Sequence, residues 1–153
     1  MYEESAAVPL ILAGPDVPAG KVVRTPVSLV DCYPTILEAV GVPLQEKETS
    51  FPGDSLWSIM NRKDHDRTVF SEYHAVGSCS AYYMLRNEQY KFIHYVNEPP
   101  QLFDLIADPK EINDLADRKG YVEVRDRFER EFGEILDPDA FVADLARVLT
   151  EVV

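Results

Sequence analysis

Few residues of this chain have the types and spacing that metal or nucleophilic chemistry requires. The three histidines, His65, His74 and His94, are isolated, and no H-x-x-x-H or H-E-x-x-H pair brings two of them together as zinc ligands. The acidic run at residues 104–117 could suggest calcium, but it lacks the EF-hand spacing, so we expect its carboxylates to cap turns. No nucleophile elbow or phosphate-binding glycine loop is present. Spacing alone predicts no catalytic centre.

Charge and composition restrict the partners of the chain. Its 153 residues carry 15 Lys and Arg against 27 Asp and Glu, a formal net charge of −12. Because Lys and Arg dominate phosphate binding, this balance argues against nucleic acid or an anionic membrane as the main partner. No apolar run approaches the ~20 residues that span a bilayer, and the start lacks a signal peptide pattern, so we expect a cytoplasmic location.

The first 62 residues predict a strand, a loop and a helix. The continuous apolar run at residues 8–13 is typical of a buried strand in an α/β sheet. A helix follows, with Asp31 as a candidate N-cap and Gly41 as a stop signal, and residues 54–60 predict one or two further helical turns. The apolar residues that share one face of the longer helix are Tyr33, Ile36, Leu37 and Val40.

Beyond residue 63 the pattern changes to short strands followed by helices. Strands are predicted at residues 68–73, 81–85 and 90–96, with a possible fourth at 101–105. Helical spacing of apolar residues predicts a helix at residues 121–135 and a second one opening at 137–138. We therefore expect an α/β chain in two parts. Residues 1–62 form the edge of a larger α/β core, and residues 63–153 form an α+β subdomain whose small antiparallel sheet packs against helices.

Six sequence blocks, taken in order, resemble the C-terminal third of the sulfatase family, which has the alkaline-phosphatase-like fold. The blocks are residues 2–11 (YEESAAVPLI), 25–35 (TPVSLVDCYPT), 51–56 (FPGDSL), 70–73 (FSEY), 84–93 (MLRNEQYKFI) and 101–116 (QLFDLIADPKEINDLA). The resemblance covers roughly residues 1–137. Within the family, residues 71–75, 95–100 and 136–139 look most like the choline-sulfatase branch.

The resemblance implies hydrolysis of sulfuric esters, with the catalytic machinery outside this chain. Residues 32–36 (CYPTI) are similar to the C-x-P-x-R signature in which sulfatases convert cysteine to formylglycine, but Ile36 stands at the arginine position. We interpret Cys32 as a small, buried or half-buried side chain. Formylglycine and the ligands of Ca²⁺ or Mg²⁺ are expected upstream, with Met1 as an internal residue of a longer enzyme. No cofactor, catalytic residue or metal ligand is assigned here.

The choline-like resemblance singles out three candidate substrate-binding residues. Glu72 is the candidate for contacting a quaternary ammonium, with Tyr73 or His74 beside it, because a carboxylate and aromatic rings stabilise a permanent cation. The alternative is that Glu72 is an ordinary exposed strand residue. In either case, the resemblance implies that the substrate of the full enzyme is a small sulfate ester, such as choline sulfate or an aryl sulfate. The residues that distinguish a sulfatase from a phosphonate or phosphodiester hydrolase lie outside the chain.

Two functions of different classes remain open. In the first, the chain is the C-terminal part of a sulfatase-type hydrolase, inactive alone, whose partner is the missing N-terminal sulfatase domain. In the second, it is a non-catalytic acidic structural or interaction module derived from such an enzyme. Under the first, the strand at residues 8–13 lacks its neighbours, so we expect an unpaired edge and self-association.

Overall fold

A computed structural model describes residues 1–45, 51–62, 66–74 and 80–136. The helices are α1 (Glu3–Ala6), α2 (Cys32–Ala39), α3 (Leu56–Asn61) and α4 (Val122–Ile135). The strands are β1 (Val69–Tyr73), β2 (Tyr82–Arg86), β3 (Tyr90–Tyr95) and β4 (Glu98–Asp104). Short 3₁₀ turns, Leu29–Asp31 and Lys119–Tyr121, precede α2 and α4. The combination is the predicted α+β fold.

The four strands form one antiparallel meander in the order β1-β2-β3-β4. The hairpin between β2 and β3 is held by the side chain of Asn87, whose Oδ1 accepts hydrogen bonds from the amides of Gln89 and Tyr90 at 3.0 and 2.7 Å. Asn97 has a φ of 64° in the next turn, a conformation that asparagine tolerates. The predicted strands are confirmed, and the fourth begins at Glu98 rather than at residue 101.

One face of the sheet packs against α4, as the spacing of its apolar residues predicts. Phe128 and Phe132 are buried, and the rings of Phe92 and Phe128 stack with centroids 5.9 Å apart. Burying aromatic rings in this way is the main source of stability for a sheet of this size. The buried members of this cluster are Tyr83, Leu85, Phe92, Leu102, Ala116, Phe128 and Phe132. The second predicted terminal helix lies outside the described residues.

Residues 1–6 pack on the opposite face of the sheet, where Glu3 pairs with a buried lysine. Lys91 on β3 has no exposed surface, and its Nζ lies 2.7 Å from carboxylate oxygens of both Glu3 and Glu111. Burial alone raises the pKa of Glu3, but the hydrogen bond and charge of Lys91, with Arg86 3.3 Å away, outweigh it and lower the pKa. A buried ammonium of this kind is tolerable only because it is paired.

A second buried ion pair ties the 3₁₀ turn before α2 to the segment that leads into β1. Asp31 is fully buried, and Arg67 donates to both of its carboxylate oxygens at 2.8 and 2.7 Å. The amides of Ser28 and Asp54 also donate to this carboxylate, at 2.7 and 2.9 Å. Burial raises the pKa of Asp31, but these hydrogen bonds and the Arg67 charge lower it overall. Asp31 immediately precedes α2, as predicted, but its carboxylate binds these groups instead of the amides of α2.

The predicted strand at residues 8–13 is wrong. These residues form no strand, and their side chains are exposed, with Ile11 87% accessible. The physical reason is that no described residue pairs with 8–13 in a sheet, and an apolar run forms a buried strand only when neighbours supply hydrogen bonds. The predicted helix is confirmed as α2; Ile36 on its apolar face is 60% exposed, whereas Tyr33 packs against Phe51 with ring centroids 5.1 Å apart. Gly41, with a φ of 71°, ends α2 as predicted.

A cavity lies beside the unpaired apolar segment at residues 8–13. It has a volume of about 830 Å³ and lies between residues 8–27 and α3, with Leu10, Leu12, Ile59 and Met60 among its walls. Among the described residues, no helix has the length and apolar character needed to cross a membrane. The division of the chain at residue 62 stays a prediction.

Candidate functional site

The register of three strands brings Glu72, Tyr83 and His94 into one row. Glu72 on β1 pairs with Tyr83 on β2, which in turn pairs with His94 on β3. Directly opposed residues in antiparallel strands point to the same side of the sheet. The row therefore lies on the face covered by α4, at the end where β1 stops. We call these three residues together with His74 the Glu72–His94 row.

Glu72 and His74 form a pair at the open end of this row. The Nε2 of His74 lies 3.4 Å from Oε2 of Glu72, and the two side chains are 35% and 50% exposed. Alternation along the strand puts both residues on the same side, two positions apart. The pair offers solvent a carboxylate that accepts hydrogen bonds and an imidazole that donates or accepts them, depending on its tautomer.

Tyr83 occupies the centre of the row and is almost completely buried. Its side chain is 1% exposed, and its hydroxyl has no hydrogen-bond partner within the described part of the chain. Burial, followed by the negative charge of Glu72, raises the pKa of this phenol, so it stays a hydrogen-bond donor at neutral pH. The ring of His74 meets the Tyr83 ring edge-on with centroids 5.2 Å apart.

His94 and Phe132 complete the surroundings of the phenol. The His94 ring stacks on Phe132 of α4 at a centroid distance of 4.5 Å, and Phe132 in turn lies 5.2 Å from Tyr83. These contacts fix the orientation of Tyr83 through rings held by the core. Neither Tyr83 nor His94 was predicted from the sequence as a site residue. The turn at Asn87 was the available signal, since a hairpin closed there sets Tyr83 opposite His94.

Tyr73 lies on the other face of the sheet from Glu72 and His74. It belongs to a second row, in which the Tyr73 and Tyr82 rings stack at 5.1 Å and the Tyr82 and Tyr95 rings lie 5.6 Å apart. The hydroxyl of Tyr95 donates to Gln101 at 2.8 Å. The structure therefore brings His74 next to Glu72 but separates Tyr73 from both, because successive strand residues point to opposite faces.

The described residues do not fit a formylglycine or metal centre. Cys32 is a free, half-buried cysteine in the first turn of α2, with Ile36 one turn later in place of an arginine. No group of three or more His, Cys, Asp or Glu among the described residues is arranged to hold a metal ion. His65 and Cys79 lie outside the described residues. We therefore derive no bond-making step from this part of the chain.

The acidic run forms turns, as predicted. Oδ1 of Asp104 accepts hydrogen bonds from the amides of Ile106 and Ala107 at 3.0 Å each, and Asp114 binds the amide of Leu102 at 3.1 Å. Each carboxylate satisfies backbone donors that would otherwise lack a partner. These acidic residues fix the chain between β4 and α4.

Comparison with known proteins places this fold in a family. The family described as N-sulphoglucosamine sulphohydrolase, C-terminal, matches residues 1–137. Arylsulfatase K of Danio rerio is 42% identical over 122 residues, and that of Homo sapiens is 38% identical over 125 residues. In both cases the match covers 76% of this chain and 23% of the relative. The chain spans about a quarter of the length of these relatives.

Solved structures share the fold over about two thirds of the chain. BT4656, solved in complex with its substrate D-glucosamine-2-N,6-O-disulfate, superposes with a TM-score of 0.59 at 22% identity and covers 69% of this chain and 23% of that one. The phosphonate monoester hydrolase of Agrobacterium radiobacter gives a TM-score of 0.53 at 20% identity, covering 68% and 23%. These likenesses show the fold alone. On the evidence of the family match and the arylsulfatase K relatives, the chain belongs to the sulfatases and corresponds to their C-terminal region.

Proposed function

We propose that the protein carrying this chain hydrolyses sulfate esters and that this chain forms one wall of the pocket for the organic part of the ester. The observation that carries the proposal is the family match over residues 1–137, supported by relatives named arylsulfatase K. The alternative, a non-catalytic acidic module, is not favoured by the family match or by these relatives.

The chemical step needs groups that we place elsewhere in the protein. Sulfate-ester hydrolysis by this family requires a formylglycine nucleophile and Ca²⁺ or Mg²⁺, and we propose that both belong to the segment that precedes this region in the longer relatives. The role left to this chain is to bind and orient the substrate. In this proposal the chain alone is inactive.

The same N-terminal sulfatase domain is the proposed partner of the exposed apolar surface. Residues 8–13 are apolar and exposed, Ile36 on α2 is also exposed, and the cavity beside α3 is about 830 Å³. Since the chain spans only 23% of its relatives, the remaining three quarters of such a protein would supply the cover. Without it, this surface favours self-association through apolar contact. We propose no nucleic-acid or membrane partner, and the cytoplasmic location stays a proposal.

Glu72 and His74 are the residues we propose to contact the organic part of the ester. Their carboxylate and imidazole are exposed side by side on the edge strand β1. A carboxylate in this position attracts a cation such as the choline of choline sulfate and equally accepts a hydrogen bond from a neutral group.

The geometry favours an ester whose organic part is uncharged over an ester of a cation such as choline. A cage for a quaternary ammonium needs aromatic faces turned toward the cation. Tyr73, the aromatic residue proposed for that role from the sequence, lies on the opposite face of the sheet, and the Tyr83 ring is buried. We therefore propose as the first candidate a sulfate ester whose organic part is uncharged, such as an aryl sulfate. Choline sulfate is the second candidate.

A single substitution separates the candidates. Glu72→Gln in the full-length protein keeps the shape of the side chain and removes its charge. A loss of about tenfold in kcat/KM on choline sulfate, with phenyl sulfate unchanged, would support the cationic ester. A loss confined to sulfate esters whose uncharged organic part carries a free hydroxyl would support the first candidate. Equal losses on every ester would remove Glu72 from the substrate pocket.

A further inference from the structure

The buried hydroxyl of Tyr83 is the feature that the fold itself leaves unexplained. A phenol that is 1% exposed normally finds a hydrogen-bond partner, because an unpaired buried donor is costly. Within the described residues this hydroxyl has none. Packing alone does not account for it, since phenylalanine would fill the same place between Phe132 and Phe70 without that cost.

Two side chains beside Tyr83 face solvent. Glu72, directly across from Tyr83, is half exposed, and His74 meets the edge of the Tyr83 ring. Both are surface side chains near the end of an edge strand, and such side chains change rotamer within nanoseconds. When His74 changes rotamer, a ligand from solvent reaches the Tyr83 hydroxyl as a donor, while the Glu72 carboxylate, whose charge acts on that phenol, remains beside it as an acceptor.

We propose that Tyr83 is a specificity-determining residue that, together with Glu72, binds a free hydroxyl group on the organic part of the sulfate ester. This inference rests on the proposed function. A hydroxyl satisfies both groups at once, because it accepts from the Tyr83 phenol and donates to the Glu72 carboxylate. A quaternary ammonium satisfies only the carboxylate and leaves the phenol unpaired. The substrate class is therefore a sulfate monoester that carries a second, unsulfated hydroxyl near the ester.

Unpaired polar groups make a binding site selective for a substrate that pairs with them. A site built to hydrogen-bond a substrate hydroxyl rejects the analogue that lacks it, since its own polar groups then stay unpaired. An unsatisfied donor in the free protein is a cost to stability that is recovered when the substrate binds.

The test uses the full-length protein, two matched esters and two matched variants. The esters are 2-hydroxyphenyl sulfate and phenyl sulfate, which differ by one hydroxyl, and sulfate release is measured for each. Tyr83→Phe removes only the phenolic oxygen. Tyr82→Phe is the control, because Tyr82 is the preceding residue on the same strand and lies on the opposite face of the sheet.

We expect Tyr83→Phe to lower kcat/KM about 5- to 10-fold on 2-hydroxyphenyl sulfate and to leave phenyl sulfate within about twofold. Its melting temperature should equal or exceed that of the wild type, since an unpaired buried hydroxyl is removed. Tyr82→Phe should change the two esters by the same factor.

The outcomes separate this inference from the function beneath it. If the wild type hydrolyses both esters and Tyr83→Phe lowers them equally, or lowers neither, the hydroxyl-binding role is overturned and the proposed function stands. If Tyr83→Phe melts at a clearly lower temperature, the phenol has a partner within the protein and the inference is again overturned. If the wild type releases sulfate from no ester, the proposed function fails and this inference fails with it.

Discussion

Among substitutions of the charged residues described above, Lys91→Met should destabilise the protein most. Lys91 has no exposed surface and lies between Glu3 and Glu111, 2.7 Å from each. Methionine has a similar length and fits an apolar site, so Lys91→Met removes the charge while leaving little cavity. The carboxylate of Glu111, only 1% exposed, then loses the ammonium with which it forms an ion pair.

The expected cost comes mainly from Glu111. Removing one partner of a buried ion pair costs about 3–5 kcal/mol, because the other charge stays buried and uncompensated. Glu3 contributes less, since Arg86 remains 3.3 Å away and the Glu3 side chain is 27% exposed. For a chain of this size the loss corresponds to a drop of about 10 °C in melting temperature.

Urea unfolding followed by far-ultraviolet circular dichroism measures the free energy directly. Lys110→Met is the matched control, because Lys110 is exposed and should cost less than about 0.5 kcal/mol. Adding Glu111→Gln to Lys91→Met should restore at least about 1 kcal/mol, since it removes the stranded charge. A cost below about 1 kcal/mol for Lys91→Met, or no recovery in the double variant, would refute the reasoning.

Two further predictions concern the first part of the chain. Asp31→Asn should cost about 3 kcal/mol at pH 7, because Arg67 loses its buried partner. The folded pKa of Asp31 is lowered, so its contribution is present above the ordinary carboxyl pKa and is lost as the pH falls through the folded value. Denaturation of both proteins at pH 7 and pH 3 should therefore show a shrinking difference, and a constant one would contradict the ion pair. Gly53→Ala should cost about 1–3 kcal/mol, because its Cβ would lie 2.5 Å from the carbonyl oxygen of Val30; a thermal melt equal to wild type would disprove this contact.

The sheet was predictable because its signals are local. The Asn87 turn and the alternating residues on either side of it fix the register of β2 and β3, and the aromatic residues at helical spacing identify α4. The row that contains Glu72, Tyr83 and His94 follows from that register, although only Glu72 and His74 of this row were predicted as site residues. No sequence pattern indicates that the Tyr83 hydroxyl lacks a hydrogen-bond partner among the residues that the structure describes.

Other features depend on contacts that no local pattern records. The buried position of Lys91 depends on residues 1–6, since its Nζ also donates to the carbonyl of Met1, 90 positions away. Lysine is rarely buried, so the residue type gives no indication of this position. The strand at residues 8–13 failed for the opposite reason, because an apolar run indicates burial only where other chain segments are present to bury it.

The central claim is that this chain serves sulfate-ester hydrolysis as a substrate-binding wall. Its most direct test is to compare the full-length protein with the isolated 153-residue chain on phenyl sulfate and on the matched phosphonate monoester, phenyl methylphosphonate. We expect the full-length protein to release sulfate from phenyl sulfate and to hydrolyse this ester faster than the phosphonate. The isolated chain should release no sulfate. Turnover of phenyl sulfate by the isolated chain, or a full-length protein that hydrolyses only the phosphonate, would contradict the central claim.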